Sequence, residues 1–354
     1  MSKDKKIVLV VGTGTIGEPL IGLLTRMKDD LDIDEIIFHK RSPLLHERPK
    51  VNSLTRSGAK LSVDEDAVES FESLGHSVDY TFEESLRHAN VVIDCTPAGN
   101  INMKTVYSKY KDKTFIAQGS EKGFGMPYAL GLSDKRLLDE NPTNIQVVSC
   151  NTHAIGRVIN SVSNGMVPRL IHGDFTCIRR SNDVSQDAGF SPSTVCSKHD
   201  DDIFGTHHAR DVNDLFNYKF SLPIFSSAIK TNTQYMHAVR FSLTLDENIT
   251  RSEIMKRLKS DKFISTTVKK STNKVFSFGR DHGFYGRIYT QAVICVPSIY
   301  VSNIGDATRV AGVLFTPQDG NSLMSSISSC LYGLHGEKYK DYLHVLDEML
   351  VNEV

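Results

Sequence analysis

The feature that most constrains the fold of this chain is a glycine-rich turn near its beginning. An apolar, β-branched run over residues 6–11 leads into Gly12-Thr-Gly-Thr-Ile-Gly17, and a helical pattern follows from Glu18 to Met27. In such a strand–turn–helix unit the first glycine allows a tight turn, the second lets the backbone approach a pyrophosphate, and the third lets helix and strand pack closely. The turn therefore predicts a dinucleotide site on Gly12, Gly14 and Gly17; a purely structural glycine turn is the alternative.

The pattern after this turn predicts a Rossmann-type parallel sheet. Apolar strand candidates recur at residues 35–38, 90–95, 114–118 and 142–151, and polar, helix-compatible stretches separate them. Strands that alternate with helices form parallel sheets covered on both faces. We therefore assign residues 1–150 to a dinucleotide-binding domain.

A different texture begins after residue 150. A helix is expected over residues 154–163 and another over 252–258, and five longer strand candidates occur between polar loops: Phe175–Arg180, His237–Leu245, Val275–Gly279, Tyr289–Val296 and Val310–Phe315. This pattern predicts an α+β catalytic domain over residues 151–320 with a mostly antiparallel sheet. The helical tail, residues 321–354, is expected to pack back on the first domain.

Charge and cysteine usage exclude several classes of partner. The chain has 354 residues and a formal net charge of -1, which gives no electrostatic reason to expect nucleic acid or a membrane surface. No apolar run approaches bilayer length, and the start shows no secretory signal pattern. Six cysteines are scattered without a CxxC pair, so we expect reduced thiols and a cytoplasmic location.

The end of the second strand candidate bears on cofactor choice. NAD sites usually carry an acidic residue there to bind the ribose hydroxyls. Here the strand ends Phe38-His-Lys-Arg-Ser42, with no carboxylate. Lys40 and Arg41 could bind a 2′-phosphate, so we predict NADP in preference to NAD, with NAD possible. The alternative is a solvated basic turn.

The segment Ser149-Cys-Asn-Thr152 lies where a strand pattern ends and a helical pattern begins. The unpaired N–H groups at a helix N-terminus lower the pKa of a cysteine, so Cys150 is a candidate nucleophile. Cysteine is more often a small buried apolar residue, and that alternative stands beside it. The other five cysteines are expected to pack in this way.

Acidic residues and histidines are dense between His199 and Asp211. Their spacing matches no zinc pattern, and acidic loop residues are usually solvated. We therefore predict no metal site. The doublet His207-His208 is better suited to a phosphate group, with a surface loop as the alternative.

Several segments occur together in the order and at the spacing of one family. The chain resembles the archaeal-type (type II) glyceraldehyde-3-phosphate dehydrogenases, and the resemblance spans nearly its whole length. The segments that carry it are Gly12–Gly17, Val91–Asp94 with Thr96-Pro97, Gln118–Lys122, Val147–Thr152, Arg179-Arg180, His207–Val212, Met236-His237, Gly279–Asp281 and the region of Gln318.

The resemblance implies a role for individual residues. Cys150 would be the nucleophile and His237 the catalytic base. The residues implied to bind substrate are Ser149, Asn151, Thr152, His207 and His208. Beyond the glycines and Lys40-Arg41, those implied to bind the cofactor are Thr15, Ile16, Ser120, Arg180 and Gln318.

The resemblance also implies a reaction. Cys150 would form a thioester by oxidation of glyceraldehyde 3-phosphate, and inorganic phosphate would release 1,3-bisphosphoglycerate, in a homotetramer. Several positions depart from the family pattern, among them His153 and Val239, and they put the substrate in doubt. A semialdehyde dehydrogenase or acyl-phosphate reductase of the same fold is one alternative. A non-catalytic dinucleotide-binding protein is another.

Overall fold

The computed structural model describes residues 5–119, 121–184, 186, 189 and 191–354. The chain divides into two compact units. Unit 1 comprises the described part of Met1–Leu130, Asp134–Val147 and Leu323–Asp347. Unit 2 comprises Gly131–Ser133, the described part of Val148–Ser322, and Glu348–Val354.

Unit 1 is built on a parallel sheet with strand order β4-β3-β2-β1-β5-β6-β8-β7. Within the described residues all seven pairings in it are parallel. The strands are β1 (Ile7–Val11), β2 (Glu35–His39), β3 (Lys60–Val63), β4 (Tyr80–Thr81), β5 (Val91–Asp94), β6 (Thr114–Gln118), β7 (Met126–Tyr128) and β8 (Asn144–Val147). Every residue of β1 is buried, which is why that strand is a continuous apolar run rather than an alternating one.

Helices cover the sheet of unit 1. They are α1 (Gly17–Arg26), α2 (Arg48–Arg56), α3 (Val68–Ser73), α4 (Phe82–His88), α5 (Gly99–Thr105), α6 (Asp134–Glu140) and, from the last part of the chain, α11 (Leu323–His335). A side chain at Gly333 of α11 would place its Cβ 2.8 Å from Val91 Cγ2. This glycine therefore lets α11 pack directly on the strands.

Unit 2 is built on a mixed sheet with strand order β10-β11-β9-β12-β16-β14-β13, and β15 pairs with β16. Five of the seven strand pairings among the described residues are antiparallel. The strands are β9 (Leu170–Arg179), β10 (Val195–Cys196), β11 (Ile224–Lys230), β12 (His237–Leu245), β13 (Ile264–Thr267), β14 (Ala292–Cys295), β15 (Tyr300–Ile304) and β16 (Ala307–Thr316).

One face of this sheet forms the main core of unit 2 with the helices α7 (Cys150–Val162), α8 (His207–Phe216) and α9 (Arg251–Ser260). Val275 of the remaining helix, α10 (Thr272–His282), belongs to a separate apolar cluster. Buried residues of α7 such as Ile155 and Val158 belong to one cluster with Phe175 of β9 and Phe241 of β12. The other apolar side chains of α7 recur at helical spacing, so burial on this core accounts for the helix.

The predicted fold class, a Rossmann-type parallel sheet joined to an α+β part with a mostly antiparallel sheet, is confirmed. One local prediction was wrong. Residues 275–279 lie within α10, because Ser271 caps the helix through its side chain and only Val275 and Gly279 face the interior. The histidine doublet begins α8, which buries His208, Ala209, Val212 and Leu215 on one side, so the alternative of a surface loop does not hold.

Candidate functional site

The glycine turn of unit 1 has the close geometry that its spacing predicts. Gly12 has φ +94°, and its N–H donates to His39 O at 3.1 Å. A Cβ on Gly17 would lie 2.0 Å from the Gly12 carbonyl oxygen, so the turn excludes any side chain there. A Cβ on Gly14 would meet nothing within 4 Å. Gly12 and Gly17 therefore serve the turn itself, and Gly14 borders open space.

Basic and acidic side chains meet at the end of β2. Lys40 forms an ion pair with Glu47, and His39 Nε2 lies 3.2 Å from Asp64 Oδ1. Arg41 is exposed and forms no ion pair among the described residues. Carboxylates from neighbouring segments are thus present at the end of β2, although the last residues of the strand contribute none. Arg41 is the cation that remains available to a ligand.

Cys150 is the first residue of α7, as the sequence predicted. The N-cap Ser149 accepts from the Thr152 N–H at 3.4 Å and bonds the Thr152 hydroxyl at 2.9 Å. Asn321 Nδ2 donates to Cys150 O at 2.9 Å, and Thr316 Oγ1 donates to Asn151 Oδ1 at 3.3 Å. The segment that carries the thiol is therefore held both by its own helix cap and by the end of β16.

The predicted low pKa of Cys150 is not what the free protein shows. The thiol is partly buried, and burial raises its pKa to about 11. Arg180, Arg179 and a hydrogen bond from the Asn151 N–H lower the pKa, whereas Asp319 raises it. Desolvation exceeds the helix-terminus effect here because the site excludes water from the sulfur.

His237 begins β12 between the ends of two neighbouring strands. It pairs with Thr316 of β16, and the next residue, Ala238, pairs with Ile178 of β9. Its Nδ1 accepts from the Arg180 backbone N–H at 2.9 Å. Burial holds the pKa of His237 well below its usual value, and the charges of Arg180 and Arg179 add to this. The ring is therefore neutral, with its proton on Nε2.

The two adjacent arginines have different surroundings. The Arg180 side chain is buried, and its guanidinium lies 2.6 Å from Asp183 Oδ1 and 3.1 Å from Asp319 Oδ1. Arg179 forms no ion pair within the described part of the chain, and its buried Nε has no hydrogen-bond partner there. Arg179 is therefore the cation free to bind an anion. Sequence reasoning missed Asp319, whose signal was an acidic residue directly after Gln318.

The histidine doublet opens α8 near Arg179. The rings of His207 and His208 stack with centroids 4.0 Å apart, and Thr206 Oγ1 lies 3.0 Å from His208 Nδ1. Burial, His207 and Arg179 lower the pKa of His208 to about 3. Burial also lowers the pKa of His207. The charge of Asp211 raises this pKa, and the charge of Arg179 lowers it further. Both rings are neutral near pH 7, so any attraction of this cluster for an anion comes from Arg179 and from hydrogen bonds.

Other predicted residues are placed as follows. Gln318 donates its N–H to Thr316 O at 2.8 Å, and its buried Oε1 has no hydrogen-bond partner in the part of unit 2 that is described. His153 is fully buried on α7 with a pKa lowered by burial to about 4. Thr15 and Ile16 lie in the turn before α1. Ser120 is outside the described residues.

The remaining cysteines divide by exposure. Cys177, Cys295 and Cys330 are buried, as predicted, and Cys95 is partly buried. Cys196 is exposed, so its predicted burial was wrong; it lies on the short edge strand β10. Edge strands leave side chains uncovered on the outer side.

The described residues contain neither a cluster of metal ligands nor a membrane-spanning helix. Over the described residues no three His, Cys, Asp or Glu side chains are grouped so that they could hold a metal ion. No helix in that part of the chain is long and apolar enough to cross a bilayer.

These observations define a class: an α/β protein with a dinucleotide-type glycine turn in one unit and, in the other, a cysteine at a helix N-terminus near arginines and histidines. The chain is similar to curated proteins named glyceraldehyde-3-phosphate dehydrogenase from archaea. It is 26% identical to that of Sulfolobus acidocaldarius over 301 residues, 83% of each chain. It is 27% identical to that of Methanocaldococcus jannaschii over 311 residues (83% and 84% of the chains) and 25% identical to that of Sulfurisphaera tokodaii over 305 residues (84% of each). No protein-family model matches the chain.

Proposed function

We propose that this chain is a phosphorylating, nicotinamide-dependent aldehyde dehydrogenase that acts on glyceraldehyde 3-phosphate through a thioester on Cys150. The observation that carries the proposal is that the positive charges of Arg179 and Arg180 lower the pKa of the Cys150 thiol. Arg179, which forms no ion pair among the described residues, also lowers the pKa of three histidines: His207, His208 and His237. A nucleophile and an available cation are what a phosphorylated aldehyde requires. The named archaeal relatives support the same reaction.

Cys150 supplies the covalent chemistry in this proposal. Its thiolate adds to the aldehyde carbon, and the carbonyl oxygen becomes an alkoxide. Loss of hydride from that carbon restores the C=O bond and leaves the thioester. A bound nicotinamide cofactor would supply the hydride acceptor, and its positive charge would favour loss of the Cys150 thiol proton to solvent. Phosphate oxygen then adds to the thioester carbonyl, and the Cys150 thiolate leaves as the acyl phosphate forms.

The tautomer of His237 determines what its ring can do for the substrate oxygen. Because Nδ1 accepts from Arg180 N–H, the neutral ring carries its proton on Nε2. We propose that Nε2–H stabilises the alkoxide in the manner of an oxyanion hole. The base role that the family resemblance implies requires the other tautomer, in which the Arg180 N–H would lose its acceptor. His237 remains the catalytic histidine in either case.

Substrate phosphate would bind at the start of α8. Arg179 supplies the charge there, and His207 and His208 supply ring N–H groups at the N-terminus of a helix. Ser149, Asn151 and Thr152 would shape the substrate site beside the thiol. Arg180, neutralised by two carboxylates, would contribute mainly through its N–H bond to His237 and its field on Cys150.

For the cofactor we propose NADP in preference to NAD. Gly12, Gly14 and Gly17 with Thr15 and Ile16 would hold the pyrophosphate, and Arg41 would meet a 2′-phosphate. Lys40 would bind the same phosphate by giving up its ion pair with Glu47. Gln318 would bind the nicotinamide side through its unpaired amide oxygen. Ratios of kcat/KM for the two cofactors test this choice, and a strong preference for NAD would overturn it.

The reaction is tested by mixing the purified chain with glyceraldehyde 3-phosphate, inorganic phosphate and NADP or NAD, and following formation of the reduced nicotinamide. We expect turnover that requires phosphate or arsenate. Aspartate semialdehyde and N-acetylglutamate semialdehyde, assayed with arsenate, are the comparison substrates. Faster turnover of either would reassign the substrate. Size-exclusion chromatography with light scattering tests the expected homotetramer.

A non-catalytic dinucleotide-binding protein is the second candidate, and the raised pKa of Cys150 favours it. Iodoacetamide labelling of Cys150 across pH, with and without bound cofactor, separates the two. A catalytic thiol should become reactive at lower pH once the oxidised cofactor is bound. A thiol whose labelling is indifferent to the cofactor supports the non-catalytic protein.

A further inference from the structure

The side-chain amide of Gln118, at the carboxyl end of β6 in unit 1, has a hydrogen bond to its oxygen but none from its nitrogen among the described residues. Ser326 Oγ donates to Gln118 Oε1 at 3.0 Å. Gln118 Nε2 is buried but has no hydrogen-bond partner among the described residues. A buried amide donor without an acceptor is unfavourable, and such groups in native proteins usually find a partner in a ligand or water. Gln118 Nε2 therefore points to an acceptor that the chain itself does not provide.

The backbone around Gln118 is fixed by neighbouring elements. The N–H of Gly119 donates to Val147 O at 2.9 Å, and Gln146 Nε2 donates to Gly119 O at 3.0 Å. Ser326, fully buried on α11, sets which end of the Gln118 amide faces the helix. The free N–H end of the amide is thereby directed before any ligand arrives.

The position of this amide follows from the register of the sheet. Val11 at the end of β1 pairs with Asp94 of β5, which pairs with Ala117 of β6, and Gln118 is the next residue. Two strand spacings of about 4.8 Å separate β1 from β6, so Gln118 lies roughly 10 Å along the edge from the glycine turn. That distance suits the other half of an extended dinucleotide whose pyrophosphate lies on the turn.

The strand order tells which half of the dinucleotide this is. Strands β2, β3 and β4 lie on one side of β1, and β5, β6, β8 and β7 lie on the other. Dinucleotides cross such a sheet at the point where the order reverses. The adenosine half, with any 2′-phosphate, belongs at the end of β2 near Arg41. The nicotinamide half then lies over β5 and β6.

We propose that Gln118 Nε2 donates a hydrogen bond to an oxygen of the nicotinamide nucleoside, with Ser326 as the residue that positions the amide. The carboxamide oxygen and the ribose hydroxyls are the acceptors of that half. This inference rests on the proposed function only in requiring a nicotinamide dinucleotide as ligand.

Calorimetric titration of two ligands tests it. NADP contains the nicotinamide nucleoside, and adenosine 2′,5′-bisphosphate lacks it entirely. Gln118→Met keeps the side-chain length and removes the donor, and it should weaken NADP binding roughly 3- to 12-fold, the range for one neutral hydrogen bond. Binding of adenosine 2′,5′-bisphosphate should change much less. Ser326→Ala should weaken NADP binding in the same direction by a smaller factor.

A second variant guards against a folding defect. Gln118→Glu keeps an acceptor for Ser326 and removes the donor, so it should show the same selective loss. Equal weakening of both ligands, or unchanged NADP affinity in both variants, would overturn the inference. A wild-type chain that binds neither ligand would instead overturn the proposed function, so the two failures are distinguishable.

Discussion

The backbone N–H of Arg180 donates to Nδ1 of His237 at 2.9 Å, in the interior of unit 2. The same Arg180 acts on Cys150 through its guanidinium, which Asp319 and Asp183 hold in place. One residue thus fixes the tautomer of the histidine through its main chain and the field at the thiol through its side chain. Most of the predictions below follow from this arrangement.

The first prediction concerns His237. Gln places an amide N–H near the position of Nε2, whereas Asn places its polar atoms near Nδ1. If Nε2–H donates to the alkoxide, His237→Gln should retain more activity than His237→Asn, and the Asn variant should lose about 10²- to 10⁴-fold in kcat. Steady-state rates measure this. Equal, complete loss in both variants would favour a base role. Nitrogen NMR of the labelled ring, which reports the tautomer directly, provides the independent check.

A second prediction concerns Asp319. Its carboxylate raises the pKa of Cys150, and it also neutralises Arg180. Asp319→Asn should therefore move the midpoint of Cys150 alkylation to lower pH than in the wild-type chain. Labelling at Cys150 is quantified by mass spectrometry of the peptide that contains it. Asp183→Asn is the control, because Asp183 also binds Arg180 but is not among the main charges acting on the thiol. A larger shift in the control than in Asp319→Asn would contradict the assignment.

A third prediction separates Arg179 from the other arginines of the sheet. Arg179→Gln removes the cation near His207 that forms no ion pair among the described residues, and it should raise the KM for the phosphorylated aldehyde by roughly 10- to 100-fold, the weight of a charge-assisted hydrogen bond. Arg240→Gln is the matched control, since Arg240 lies on the neighbouring strand with its guanidinium 3.0 Å from Asp174 Oδ1. Similar KM values for the two variants would place the phosphate elsewhere.

The fourth prediction concerns stability against pH. Burial depresses the pKa of His153 to about 4 and that of His208 to about 3, and it lowers those of His207 and His237. When the pH falls below 6.5, the histidine pKa in the unfolded chain, these histidines bind protons in the unfolded chain but stay neutral in the folded one. Their contribution to the free energy of unfolding is therefore complete above pH 6.5. It is lost toward pH 4, at about 1.4 kcal/mol per pH unit for each such histidine.

Denaturant titrations between pH 7 and pH 4.5 measure this slope. Over that range one such histidine should change the free energy of unfolding by roughly 2–3 kcal/mol. His153→Asn keeps a side-chain N–H for Ser149 O, so it should flatten the acid slope without unfolding the chain. His344→Asn changes an exposed histidine and should leave the slope unaltered. An acid slope identical in His153→Asn and wild type would show that His153 is not held neutral.

The fifth prediction is the simplest test of the thioester. Cys150→Ser should abolish turnover while the affinity for NADP stays within about twofold, because serine preserves the N-terminal position on α7 but is a much weaker nucleophile. Turnover and calorimetric affinity are measured on the same preparation. Near-normal activity in this variant would remove Cys150 from the mechanism.

The sequence alone determined the parts of this protein that depend on local pattern. The spacing of Gly12, Gly14 and Gly17 between an apolar run and a helical stretch specified the turn, because Gly12 has a positive φ and Gly17 has no room for a Cβ. Alternation of strands and helices specified the parallel sheet, and the position of Cys150 at the start of a helix followed from the end of one pattern and the start of another.

Only the tertiary structure decided what surrounds those residues. The strand predicted at residues 275–279 is a helix because a side-chain cap and one-sided burial outweigh β-branched composition. The pairing of Arg180 with Asp319, and the effect of Asp319 on the pKa of Cys150, join residues more than a hundred positions apart in the chain, near the ends of strands that meet only when the sheet forms. Desolvation and Coulomb energies depend on distance in space, which no local pattern in a sequence records.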